Sequence, residues 1–125
     1  MRGDKGFSLI ELLIVLLILS LLASVLWPVI RKARARTYDM SAVSTLREAA
    51  ALQTIYAMDH GRYAAGPRPL LALGLRLPAG VELRVLEGGP HYCMSARHRA
   101  GQFWFLISDR FGLARLSGPA PVGCP

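Results

Sequence analysis

The sequence predicts an α+β fold: a long N-terminal α-helix, half membrane-spanning and half amphipathic, packed on a small antiparallel β-meander. Three observations carry this expectation. Residues 9–30 are apolar apart from Glu11, Ser20, Ser24 and Pro28. Residues 31–58 contain neither glycine nor proline and repeat apolar residues at helical spacing. Beyond residue 80, short alternating segments are divided by glycine-containing turns. The chain has 125 residues, 53% of them apolar, and the excess is concentrated in residues 9–30. The remainder has the composition of a small soluble domain. That apolar content excludes a disordered chain, and the small body leaves too little core for most enzymes.

The first element starts at Phe7, after the short run Met1-Arg2-Gly3-Asp4-Lys5-Gly6. From Leu12 to Ile30 lie 19 consecutive uncharged residues, about 28 Å of helix at ~1.5 Å per residue, enough to cross a bilayer core. A cleaved secretory signal, a plain anchor and a more specialised segment compete at this point. The run exceeds the ~7–15 apolar residues of a signal peptide, and no good cleavage site follows it. Glu11 is the telling residue, because a carboxylate inside a spanning helix costs about 2–3 kcal/mol unless neutralised. Its blander alternative is snorkelling at the membrane edge. Pro28 removes a backbone donor and disturbs the turn before it, a defect tolerated in membrane helices.

The second half of the helix, to residue 58, ends at Asp59-His60-Gly61, with Gly61 as its stop. Ala42, Leu46, Ala49, Leu52 and Tyr56 define one face, read as the ridge on which a sheet packs; Arg47 and Glu48 lie off it. Residues 61–80 read as loop with a helical turn near Leu70–Leu73. Strands are expected at Val81–Val85, His91–Ala96 and Gln102–Ser108, with a fourth at Leu113–Leu116, and the tail Ser117–Pro125 as coil.

Cys93 and Cys124 are the only cysteines, with 30 residues between them. Two cysteines do not make a metal site, so one disulfide is expected, in an oxidising compartment. Closing such a loop stabilises by roughly 3–4 kcal/mol. His60, His91 and His98 lack metal-ligand spacing, Gly88-Gly89 lacks the helix and lysine of a phosphate loop, and no acid/base pair is evident. Neither catalysis nor a cofactor is expected.

Lys5-Gly6-Phe7-Ser8-Leu9-Ile10-Glu11-Leu12-Leu13 resembles the processing site of type IV prepilins and their pseudopilin relatives, and Pro28 falls where many pilins carry a helix-breaking proline. The resemblance is close over residues 5–30 and one of layout beyond. It implies a pilin-like fold and a leader, residues 1–6, cut after Gly6 by a prepilin peptidase that methylates Phe7. Residues 7–30 would form the transmembrane and filament-core helix, 31–60 its amphipathic half, and 61–125 a head with sheet and disulfide loop. A helix over 7–58 would be about 78 Å long if continuous, which suits a filament subunit. Glu11 would act as an assembly latch, meeting the Phe7 amine of a neighbour. The implied partners are other pilins, the peptidase and an inner-membrane assembly platform. The chain would start as a single-pass inner-membrane protein and end in a periplasmic or cell-surface pilus serving motility, adhesion or DNA uptake.

A type II secretion pseudopilin is the nearest alternative. Calcium-binding pseudopilins carry carboxylates in their C-terminal loops, whereas only Asp109 follows Glu87 here. An anchored binding module that never assembles is the alternative of another class. The net charge of +7 suggests anionic lipid or nucleic acid. Arg97, Arg99 and Arg110, beside Phe103, Trp104 and Phe105, are candidates for sequence-independent DNA or surface contact, against the plainer reading of a solvated turn. Arg31, Lys32, Arg34 and Arg36 suit lipid headgroups better. These four outnumber Arg2 and Lys5, so charge bias alone would keep the head cytoplasmic; the cysteines and the resemblance point outward.

Overall fold

Ser8 opens the first helix, α1 (Leu9–His60), which runs for 52 residues. The computed structural model describes residues 6–125, so Met1–Lys5, most of the expected leader, lie outside the described residues. The chain divides into two compact units, Met1–Arg34 and Ala35–Pro125. Among the described residues the first consists of three non-helical residues and the apolar part of α1. The expected break at Pro28 does not occur: the proline sits inside α1 and helix continues on both sides. Its fixed φ is compatible with helix, so the helix runs on despite one lost backbone bond and the crowding of the ring against the carbonyl four residues earlier. Ser20 and Ser24 donate their hydroxyls to the carbonyls of Leu16 and Leu21, at 2.8 and 2.7 Å, and need no partner outside the helix.

In the second unit, α1 ends where expected: Gly61 takes a φ of 74°, which favours glycine, and its N–H closes on the Ala57 carbonyl at 2.8 Å. A short helix, α2 (Pro67–Ala72), follows. It starts earlier than the turn expected near Leu70 because Pro67 supplies a first residue with helical φ and no N–H to lose. Four strands form an antiparallel meander in the order β1-β2-β3-β4: β1 (Val81–Glu87), β2 (Cys93–His98), β3 (Trp104–Ser108) and β4 (Gly112–Leu116). The pairing of Leu83 with Ala96, Met94 with Ile107 and Phe105 with Arg115 fixes the register. A bulge between Val85 and Glu87 accommodates Leu86. β2 lies two residues later than expected, since Asp109 holds His91 and Tyr92 outside the ladder.

One face of the sheet meets α1. Val81, Met94, Ala96 and Phe105 are buried against Ala42, Val43, Leu46 and Ala49, with Leu70 and Leu75 closing the side. The helical ridge is as expected at Ala42, Leu46 and Ala49, but its next position is Gln53, fully buried, while Leu52 and Tyr56 are only half-buried. Gln53 holds the loop after α1. Its Oε1 accepts the Ala64 N–H at 2.8 Å and its Nε2 donates to the Ala64 carbonyl at 3.0 Å. Asp39, on the same face, accepts the Gln102 N–H at 2.8 Å and so holds the β2–β3 turn. Gly101 is required beneath it, because a Cβ there would collide with the Asp39 carboxylate.

The other face carries Cys93, Ser95, Trp104, Leu106 and Ser108, all buried. The guanidinium groups of Arg84 and Arg97 lie 5.3 and 5.9 Å from the Trp104 ring centre, and the disulfide Cys93–Cys124 draws the C-terminal tail onto this face.

Gln53→Ala should cost about 2–4 kcal/mol, because both buried backbone groups of Ala64 lose their partner. Denaturation of the full chain in detergent, followed by near-ultraviolet circular dichroism, measures this. A loss no larger than that of Thr54→Ala, at an exposed neighbouring position, would contradict the anchoring role.

Candidate functional site

Gly6, Phe7 and Ser8 are non-helical, and the helix begins at Leu9. Ser8 is its N-cap: its carbonyl accepts the Leu12 N–H at 3.1 Å, and its hydroxyl oxygen accepts the Glu11 N–H at 3.2 Å. In return Glu11 Oε2 accepts the Ser8 N–H at 3.3 Å. This is a reciprocal capping box, in which two backbone donors left over at the helix start are satisfied. The motif Ser8-Leu9-Ile10-Glu11 was readable as Ser-x-x-Glu before an apolar run. The carboxylate is therefore folded onto the first turn of its own helix, with acceptor capacity to spare. Gly6 has open space around the position a Cβ would take, so the packing of this chain does not demand glycine there.

Behind this cap, residues 9–30 are exposed throughout, Leu13, Leu17, Leu21 and Val25 among them, and none of the apolar window is buried within the chain. An apolar surface this continuous needs a covering other than water.

Cys93 and Cys124 are joined with Cα atoms 6.4 Å apart, as expected, and neither is free. The disulfide sits beside a small polar network at one end of the sheet. The Asp109 carboxylate accepts from His91 Nδ1 at 2.8 Å and from the Tyr92 N–H at 3.1 Å. Burial raises the Asp109 carboxyl, but the hydrogen bonds from His91 and Tyr92, with the charge of His91, outweigh it and hold the group below the usual value. The Tyr92 phenol is raised, first by burial and then by the charge of Asp109. Arg110 Nη2 donates to Glu87 at 2.6 Å.

These contacts redistribute the three arginines considered for DNA or surface contact. Arg97 is half-buried over Trp104 and Arg110 is paired with Glu87, whereas Arg99 stands exposed in the β2–β3 turn. Of their expected aromatic neighbours, Trp104 is 4% and Phe105 8% exposed, on opposite faces of the sheet, since successive strand residues alternate, and Phe103 is half-buried. Among the described residues no group of three His, Cys, Asp or Glu side chains is placed to hold a metal ion.

An uncovered apolar helix with a capped acidic start, joined to a disulfide-closed four-stranded body, fits the class of proteins anchored in a membrane by one N-terminal helix. The prokaryotic N-terminal methylation motif matches residues 1–27. Over its full length the chain is 36% identical to the type IV wide pilus major component PilA4 of Thermus thermophilus, with all of both chains covered. The chain belongs to the type IV pilin family, and its role is structural, not enzymatic.

Asp109→Asn should lower the melting temperature near neutral pH. A carboxyl depressed in the folded state stabilises above its unfolded value and loses that contribution as pH falls through the folded one. The difference between variant and parent should therefore shrink below about pH 4. Melting curves over that range test it; a constant difference would remove Asp109 as the cause.

Proposed function

We propose that this chain is a structural subunit of a type IV pilus of the wide kind its relative forms, released from its leader by cleavage after Gly6 and methylated at Phe7. The observation that carries this is the exposed apolar helix of residues 9–30 bearing one carboxylate, Glu11, at its capped start. Cleavage after Gly6 falls in the non-helical stretch before Ser8, where backbone is free of helical hydrogen bonds. A glycine that the chain's own packing does not require is suited to recognition by a peptidase.

In the inner membrane the helix is solvated by lipid, and an assembly platform then exchanges that lipid for copies of the same helix. Cleavage creates an ammonium group at Phe7, one residue before the Ser8 N–H that Glu11 already accepts. The Glu11 carboxylate has remaining lone pairs, and an ammonium from a neighbouring Phe7 is a stronger partner than a neutral amide. Subunits out of register would leave that carboxylate in an apolar surround with only its cap. Glu11 thus selects register, and the apolar flanks supply packing. On the finished fibre, phosphate contact with DNA would fall first on Arg99, because Arg97 and Arg110 are engaged within the head.

Two measurements test this reading. The intact mass of the chain from cells with prepilin peptidase should lack residues 1–6 and carry one added methyl group, and from cells without the enzyme it should be full length. Glu11→Ala should leave membrane insertion unchanged and reduce incorporation into filaments by at least tenfold. Normal fibre yield from that variant would refute the latch, while an uncut chain in peptidase-positive cells would refute the prepilin reading itself.

A further inference from the structure

At about 1.5 Å per residue, the rise from Glu11 to Arg31 is about 30 Å, the thickness of a bilayer's hydrocarbon core. With Arg31 at one boundary, the capped helix start reaches the other. At 100° per residue, Trp27, Arg31 and Arg34 fall on one face of α1 within about 60°, and Lys32 falls on the far side. All of them are exposed. The Arg31 guanidinium lies 5.6 Å from the Trp27 ring centre, a cation–π contact that holds it over the indole. Among the described residues neither Arg31 nor Arg34 has a carboxylate partner.

These charges oppose the insertion bias. The disulfide Cys93–Cys124 belongs on an oxidising side, so Arg31 and Arg34 emerge where the positive-inside rule disfavours them. A basic pair in that position needs an anionic partner there. We propose that Trp27, Arg31 and Arg34 form a headgroup site for one anionic glycerophospholipid in the leaflet facing the head. This rests on the reading of α1 as a membrane anchor before assembly. Two guanidinium groups one helical turn apart cup a phosphodiester with paired N–H donors. Trp27, 60% exposed, lies about 6 Å below Arg31 along the axis, just inside the boundary, where its ring can pack on the upper acyl chain while carrying the guanidinium above it. The site sets the depth of the waiting subunit and is vacated when its lipid is stripped during assembly.

The test uses the full chain in nanodiscs of phosphatidylcholine with a minor share of phosphatidylglycerol, with retained lipids identified by native mass spectrometry. Phosphatidylglycerol should be enriched on the protein, and R31Q/R34Q should cut the enrichment roughly ten- to thirty-fold, from about 1 kcal/mol per basic residue at an anionic surface. K32Q, on the far face, should retain most of it. Equal enrichment in R31Q/R34Q, or equal loss in K32Q, would overturn the site in favour of no binding or a diffuse collar. Inorganic phosphate at millimolar concentration and a short DNA duplex should not displace the lipid; displacement by either would reassign the arginines to soluble polyanions. A chain recovered outside the bilayer would overturn the anchor reading, and the site with it.

Discussion

The apolar surface of residues 9–30 has no cover within its own chain, and every stage of this protein's existence must supply one. In lipid the cover is acyl chain; in a filament it is other copies. Exchanging one for the other gains little hydrophobic free energy, because hydrocarbon tails are as apolar as leucine. Association must then draw on close packing and on the few polar groups the surface carries. Ser20 and Ser24 are spent on their own helix. Glu11 alone keeps acceptor capacity, so in the proposed assembly a single carboxylate at the helix start would govern register for a whole segment.

The head solves a different problem, that of holding a thin sheet on one helix with little core. Its largest buried side chains are few, Leu46, Leu70, Met94 and Leu106 among them. Two polar residues on the buried face of α1 make up for the small apolar area by fixing loops. Gln53 takes both backbone groups of Ala64, and Asp39 takes the turn before β3. Such bonds add little net stability when made but cost the full desolvation of their partners when broken, so they specify one register over others. The disulfide performs the same service on the opposite face, where the buried Cys93 ties the tail to β2.

Much of this was legible in the sequence because the signals were periodic. Gly61 as stop, the ridge through Ala42, Leu46 and Ala49, the run of short strands and the cysteine pair follow from spacing and turn residues, whereas the strand order needed the pairing itself. Gln53 was not legible: a glutamine at a core position of a helix reads as a departure from the stripe, and Leu52 beside it offers a better apolar match. Only the position of the Ala64 backbone, eleven residues on, shows why an amide belongs there. Pro28 misled for the converse reason, since a strong local signal was overridden by a helix able to absorb one missing bond. At the candidate site the glycine, the following aromatic residue and the glutamate were evident from their order. The capping of Glu11 by Ser8 was present as a motif but overshadowed by the oddity of a charge near lipid.

The charge of +7 looks at first like an invitation to a polyanion, but the head spends much of its basic character on itself. Arg84 and Arg97 cover Trp104, Arg115 lies 4.6 Å from the Phe103 ring centre, and Arg110 pairs with Glu87. Arginine is suited to this use, because its flat and weakly hydrated head group can lie on an aromatic ring while staying charged. Arg34 is not employed in this way, and Arg31 lies over Trp27, itself exposed; both stand at the end of the apolar span, where net charge of the whole chain is a poor guide. What would matter there is the sign of the surface immediately beside them, and in the proposed anchored state that surface would be the lipid headgroups.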